Sequence, residues 1–140
     1  MTAVLHADLE LWLCDRFRAE LTTRGHSDVD VSNRERGAAD ANTGPQLVVR
    51  DNSGPSKSII SAERDVSLSV LAGTKDDPQP AMDLARLVTA LAATFAGLEP
   101  GNPIAHIPED GVNGPYWVPE DAPYARTLTT ITYVVVGVPL

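Results

Sequence analysis

Val66-Ser-Leu-Ser-Val-Leu-Ala72, leading through Asp76-Asp-Pro-Gln-Pro80 into Ala81-Met-Asp-Leu-Ala-Arg-Leu-Val-Thr-Ala-Leu-Ala-Ala-Thr-Phe95, is the stretch on which the fold is read. Val66, Leu68, Val70 and Ala72 alternate with Ser67, Ser69 and Leu71, the period of a half-buried strand. At about 100° per residue, Ala81, Leu84, Ala85, Val88, Leu91, Ala92 and Phe95 fall within an arc of roughly 120°, with Asp83, Arg86 and Thr94 outside it. This is a helix made to lie on a sheet. Two prolines, with Asp76 and Asp77 ahead of the first turn, suit its start, and Gly97 suits its stop.

Working outward, Leu5, Leu9, Trp12, Leu13, Phe17 and Leu21 recur at helical spacing, which predicts a first helix over Leu5–Arg24 ahead of Gly25. Asp28–Ser32 alternates as a short strand, and Asn33–Gly44 is a polar loop expected to be mobile. Gln46–Arg50 reads as a strand, Asp51–Pro55 as turn chemistry, and Lys57–Ile60 as the returning strand of a hairpin. Pro103–Ile107, Pro115–Val118 and the long run Thr127–Val138 complete the β segments. In the last run Leu128, Thr130, Thr132, Val134, Val136 and Val138 form one face. Thr129, Ile131, Tyr133, Val135 and Gly137 form the other. Both faces become apolar toward the chain end, as in a central strand or one covered by another subunit. The order predicts an α+β fold: a single mostly antiparallel or mixed sheet, two amphipathic helices packed on one face, in one domain spanning 1–140.

Composition narrows the function classes. Hydrophobic residues at 43% and charged residues at 21% exclude global disorder. A formal net charge of −8 with no basic patch argues against gripping nucleic acid through its phosphates. The eleven prolines and ten glycines cluster at 37–55, 73–80 and 97–123, so short elements with long surface connections are expected. Cys14 is the single cysteine, so no internal disulfide forms, and its place on the helix predicts a buried thiol. Asp8 and Glu10 interrupt any signal-peptide pattern, and no run approaches the roughly 20 apolar residues of a membrane span, so a reduced, soluble, intracellular product is expected.

No constellation assembles chemistry. Ser53-Gly-Pro-Ser-Lys-Ser58 has a lysine after a glycine-containing turn, but Ser56 precedes Lys57 where a phosphate loop needs glycine, and a strand-like run follows where a helix should begin. Asp40, Asn42 and Asp51 share the spacing of a calcium loop, yet Gly44 and Pro45 occupy positions that need a ligand and a sharp turn. His6, His26 and His106 lie apart from one another and from Cys14, away from metal-ligand spacing. There is no Gly-x-Ser-x-Gly elbow. Glu109, Asp110, Glu120 and Asp121 read as solvated loop carboxylates rather than general acids or bases. Tyr116 and Trp117, within Gly114-Pro-Tyr-Trp-Val-Pro119, are either a binding platform or a core plug.

Over nearly its whole length the chain resembles the tail terminator (minor tail, tail-completion) proteins of long-tailed bacteriophages, particularly those of actinobacterial hosts. The resemblance is carried by the helix Leu5–Arg24, the strand Arg64–Thr74, the helix beginning Pro80-Ala-Met-Asp-Leu-Ala-Arg-Leu-Val88, the Gly114-Pro-Tyr-Trp117 turn and the strand Thr129-Thr-Ile-Thr-Tyr-Val-Val-Val136. It implies a non-enzymatic subunit, without cofactor, metal or catalytic residue, that forms a hexameric ring at the head-proximal end of the tail tube. Such a ring ends tube polymerisation and meets a head-closure or neck protein, while DNA passes through its channel without sequence-specific binding. The implied location is the virion tail or neck, with assembly in the host cytoplasm and no membrane. Interface residues expected on this reading are Arg34, Arg36, Lys57, Tyr116, Trp117, Tyr133 and Val135. The alternatives are a head-closure or other neck protein, an enzyme using His106 with Glu109 and Asp110, and a monomeric binding module built on Tyr116 and Trp117.

Overall fold

The alternation at Val66–Ala72 belongs to a longer strand. A computed structural model describes residues 3–36, 44–119 and 122–140. In chain order these form β1 (Val4–Leu5), α1 (Leu9–Thr23), β2 (Asp30–Ser32), β3 (Gln46–Asp51), β4 (Ser61–Ala72), α2 (Gln79–Ala92), β5 (Ile104–His106), β6 (Val112–Val118), β7 (Ala125–Val136) and β8 (Val138–Pro139). β4 and β7 pair antiparallel along their full twelve residues, from Ser61 opposite Val136 to Ala72 opposite Ala125. β3 lies antiparallel on the other side of β4, and β2 runs parallel to β3. β5 and β6 share the far side of β7, giving a six-stranded mixed sheet, while β1 and β8 pair apart from it. No helix among the described residues is long and apolar enough to cross a membrane.

Register decides which side chains meet the helices. The pairs Leu47–Val70, Val49–Leu68 and Val66–Ile131 bring apolar residues of β3, β4 and β7 into line, and all are buried. α1 packs over β2 and β3 and α2 over β4, β6 and β7, so both helices cover the same face, as the α+β reading expected. The stripe of α2 is buried as its spacing predicted, each large side chain contributing at most about 1.5–3 kcal/mol. Thr129 faces the helices too, and its hydroxyl lies 2.8 Å from that of Thr89 on α2, so this polar atom is satisfied within the core.

The two helices are joined at Phe95, whose ring meets Phe17 at 4.9 Å and Trp12 at 6.1 Å, both edge-on. The Arg16 guanidinium lies over the Trp12 and Phe95 rings and donates to Glu99 at 3.2 Å. Glu99, accepting from its own backbone N–H and from Arg16, titrates below the usual carboxylate range. α2 stops at Ala92 rather than running through Phe95. Its last carbonyls find other donors: the Tyr133 hydroxyl donates to the Ala92 carbonyl at 2.8 Å, and the Thr94 hydroxyl and N–H donate to that of Leu91. Burial pushes the Tyr133 phenol well above its ordinary value.

Three further element boundaries that bear on the surface differ from the sequence reading. α1 begins at Leu9, because the Asp8 carboxylate accepts the Leu11 N–H at 3.1 Å and caps the helix, while Val4 and Leu5 are drawn off to pair with Pro139 and Val138. Lys57–Ile60 is a turn, with the N–H groups of Lys57 and Ser58 both donating to the Ser61 carbonyl. The returning strand of that hairpin is β4 itself, and residues 52–56 run irregularly beside it, so close that a Cβ on Gly54 would sit 2.4 Å from the Glu63 carbonyl oxygen. The final run is broken at Gly137, where a Cβ would press within 2.6 Å of Val4.

Tyr133→Phe, which takes the hydroxyl donor from the buried Ala92 carbonyl and leaves it the longer 3.4 Å bond from the Phe95 N–H, should cost about 0.5–1.5 kcal/mol, and Leu91→Ala about 2–5 kcal/mol. Urea denaturation followed by circular dichroism checks both. An unchanged midpoint for either variant would show that α2 is not seated on β7 in this way.

Candidate subunit interface

The side chains expected at an interface separate into two groups. Tyr133 and Val135 are core residues, 0% and 3% exposed, because odd-numbered positions of β7 face the helices. The interface role expected of them is thereby corrected. Arg36 is also largely enclosed: its N–H donates to the Gln46 side chain at 3.1 Å, its guanidinium to the Gly44 carbonyl, and it lies 3.9 Å from Asp30. It ties the chain after β2 onto the sheet. Gln46, buried at the start of β3, donates in turn to the Arg34 carbonyl at 2.9 Å, and the sequence reading had assigned that glutamine no such part.

Arg34 and Lys57 remain exposed, Lys57 within 3.4 Å of Glu63. Tyr116 and Trp117 stand on β6, the outer strand beside β7, at 47% and 45% exposure, which decides for a surface ledge over a core plug. They sit opposite Leu128 and Thr127, so their rings point to different faces of the sheet.

The remaining sequence features stay apart. Burial pushes the Cys14 thiol up. Ser53–Ser58 flanks β4 with no helix after it, and Asp51 accepts the Ser53 N–H and lies 3.8 Å from Arg64. Asp40, Asn42, Glu120, Asp121 and the middle of the 33–44 loop lie outside the described residues. Among the described residues no group of three or more His, Cys, Asp or Glu is arranged to hold a metal ion.

Pattern reading missed a concentration of apolar side chains at one end of the molecule. Leu5, Ile59, Ile60, Val136, Val138 and Leu140 are all exposed, Ile59 and Leu140 at 77%. The fold gathers them: the Gly137 N–H donates to the Ile60 carbonyl, the Leu140 N–H to that of Ala3, and Leu5 pairs with Val138. All but Leu140 read as part of a helix or strand, and only the closure of the chain ends against the 57–60 turn unites them.

The opposite end is built differently. There Trp117 overhangs a hollow of about 380 Å³ lined by Lys75, Pro78, Tyr124 and Arg126. Beside it, between the start of α2 and the chain following α1, lies a groove of about 490 Å³. Val29, Ala72, Leu84 and Leu87 supply its apolar lining, and Asp28 and Asp83 supply exposed carboxylates. At about 3.3 Å per strand residue, the course of β7 from Thr127 beside Trp117 to Val136 sets the two ends roughly 30 Å apart. Neither the family models nor the curated proteins contain a match to this chain.

Removing residues 138–140 should leave a folded subunit, since β8 pairs only with β1, whereas removing 134–140 takes the end of a central strand and should give insoluble protein. Circular dichroism and solubility after expression of both truncations check this. A folded, soluble 134–140 deletion would contradict the placement of β7.

Proposed function

We propose that this chain is a structural subunit of a long-tailed bacteriophage virion, a tail terminator that forms a hexameric ring at the head-proximal end of the tail tube. The ring stops tube polymerisation and joins tail to neck. Its partners are further copies of itself, the tail tube protein and a head-closure or neck protein.

The observation that carries the reading is the difference between the two ends. A two-fold dimer buries the same patch on both subunits, whereas a ring joins one surface to a different surface on the next copy. An exposed aliphatic end and a grooved, aromatic end on opposite sides of one rigid sheet supply two such surfaces. Large exposed apolar patches mark association sites. The resemblance in sequence pattern supplies the rest: a ring on a tail tube. A net charge of −8 suits a channel through which DNA slides without adhering.

Electron microscopy of negatively stained tail tubes mixed with the protein tests the proposal. Rings should cap the head-proximal end of the tube, and tails assembled without the protein should vary in length. Rings that bind only the head side of the neck would assign the chain to head closure. Normal-length, infectious particles made without it would remove the terminator reading.

A further inference from the structure

The ring reading leaves open which surfaces meet, and the chemistry of the two ends narrows the choice. The 57–60 turn projects a cation and two aliphatic side chains together: Lys57, Ile59 at 77% exposure and Ile60 at 45%. The groove at the other end offers the complement, an apolar lining with Asp28 and Asp83 and no lysine or arginine among its lining residues. Its neighbour beneath Trp117 offers Lys57 no carboxylate among its described lining residues: it carries Lys75 and Arg126, and Arg126 is paired with Glu35. β4 begins at Ser61 beside the turn and ends at Ala72 in the groove, which holds the two features roughly 35 Å apart, too far to meet within one subunit.

We propose that the Lys57–Ile60 turn of one subunit docks into the groove between α2 and the α1–β2 connection of the next, with Ile59 and Ile60 against Leu84 and Leu87 and Lys57 between Asp28 and Asp83. The occupant is therefore a second copy of this chain. The inference rests on the ring reading and specifies its contact. Lys57 gives up little to make it, because its pairing with Glu63 is exposed and such pairs contribute about 0–1 kcal/mol. Every subunit both presents a turn and receives one, so the contact repeats head to tail around a ring.

A charge exchange tests it. Two variants are made, Lys57→Asp alone and Asp28→Lys with Asp83→Lys, all at exposed positions. Oligomeric state is followed by sedimentation velocity from micromolar to millimolar concentration, alongside the wild-type protein. In each variant alone the turn and groove carry like charge, and the midpoint for assembly should rise about tenfold or more. Mixed in equal amounts, each variant's turn matches the other's groove, so assembly should return in complexes that alternate the two chains. Wild-type assembly with variants that assemble equally well, or variants whose mixture stays dissociated, would overturn the docking and leave the ring reading standing. A wild-type protein that remains monomeric throughout would overturn both.

Discussion

The twelve-residue antiparallel ladder between β4 and β7 is the constraint on which the rest of the molecule depends. Its register sets even positions of β4 and odd positions of β7 on one face, and that face is where Leu68, Val70, Ile131 and Tyr133 meet the helices. A shift by one residue would turn Ser67, Ser69, Thr130 and Thr132 inward and put the apolar set in water. β3 attaches to one side of the ladder and β5 and β6 to the other, so the remaining strands of the six-stranded sheet take their places from this pair.

The ladder also accounts for the two ends. Because both long strands span the molecule, whatever gathers at Ser61 and Val136 is held far from whatever gathers at Ala72 and Ala125. The first end collects the 57–60 turn and both termini, whose aliphatic side chains reach past the sheet without helix cover. The second collects the start of α2, the loop from β4 and the Trp117 edge. Polar contacts tie the helices to the sheet, one at a buried hydroxyl and one at a half-buried carboxylate that also meets Asn33 and lies near Arg50. Tyr133 holds the end of α2, and Glu10 on α1 accepts the Asp51 N–H at 2.9 Å. A buried polar group such as the Tyr133 hydroxyl fixes alignment because leaving it unpaired costs more than the bond itself gains.

Much of the fold was legible before the structure. The α2 stripe, the β4 alternation and the central position of the last long strand follow from periodicity, since burial on one face imposes a period of 3.6 or 2 directly on residue choice. The candidate site was less legible. Tyr133 and Val135 looked like surface residues because both faces of β7 are apolar near its end, and periodicity does not say which face the helices take. Lys57 stands with Arg34 and Arg36 among the cations expected at an interface, but Ile59 and Ile60 beside it read as a strand because β-branched residues favour strands wherever they pack. Arg36 carried the same positive charge as Arg34, yet one is folded against Gln46 and Gly44 and the other is left in solvent.

By itself, then, the sequence determined the local structure and the amount of apolar surface available: two helices, the strands and their alternation, an acidic balance, and an apolar surplus toward the C-terminus. Tertiary structure decided where that surplus went. Asp8 capped α1 late enough for Val4 and Leu5 to pair with the C-terminus, Gly137 allowed the close crossing there, and the Ser61 carbonyl turned Lys57–Ile60 outward. The pairing of Val4 and Leu5 and the crossing at Gly137 are contacts between residues as far apart as the two ends of the chain. Local pattern carries no record of them, because a hydrogen bond or a close approach between distant segments restricts only the few residues that touch.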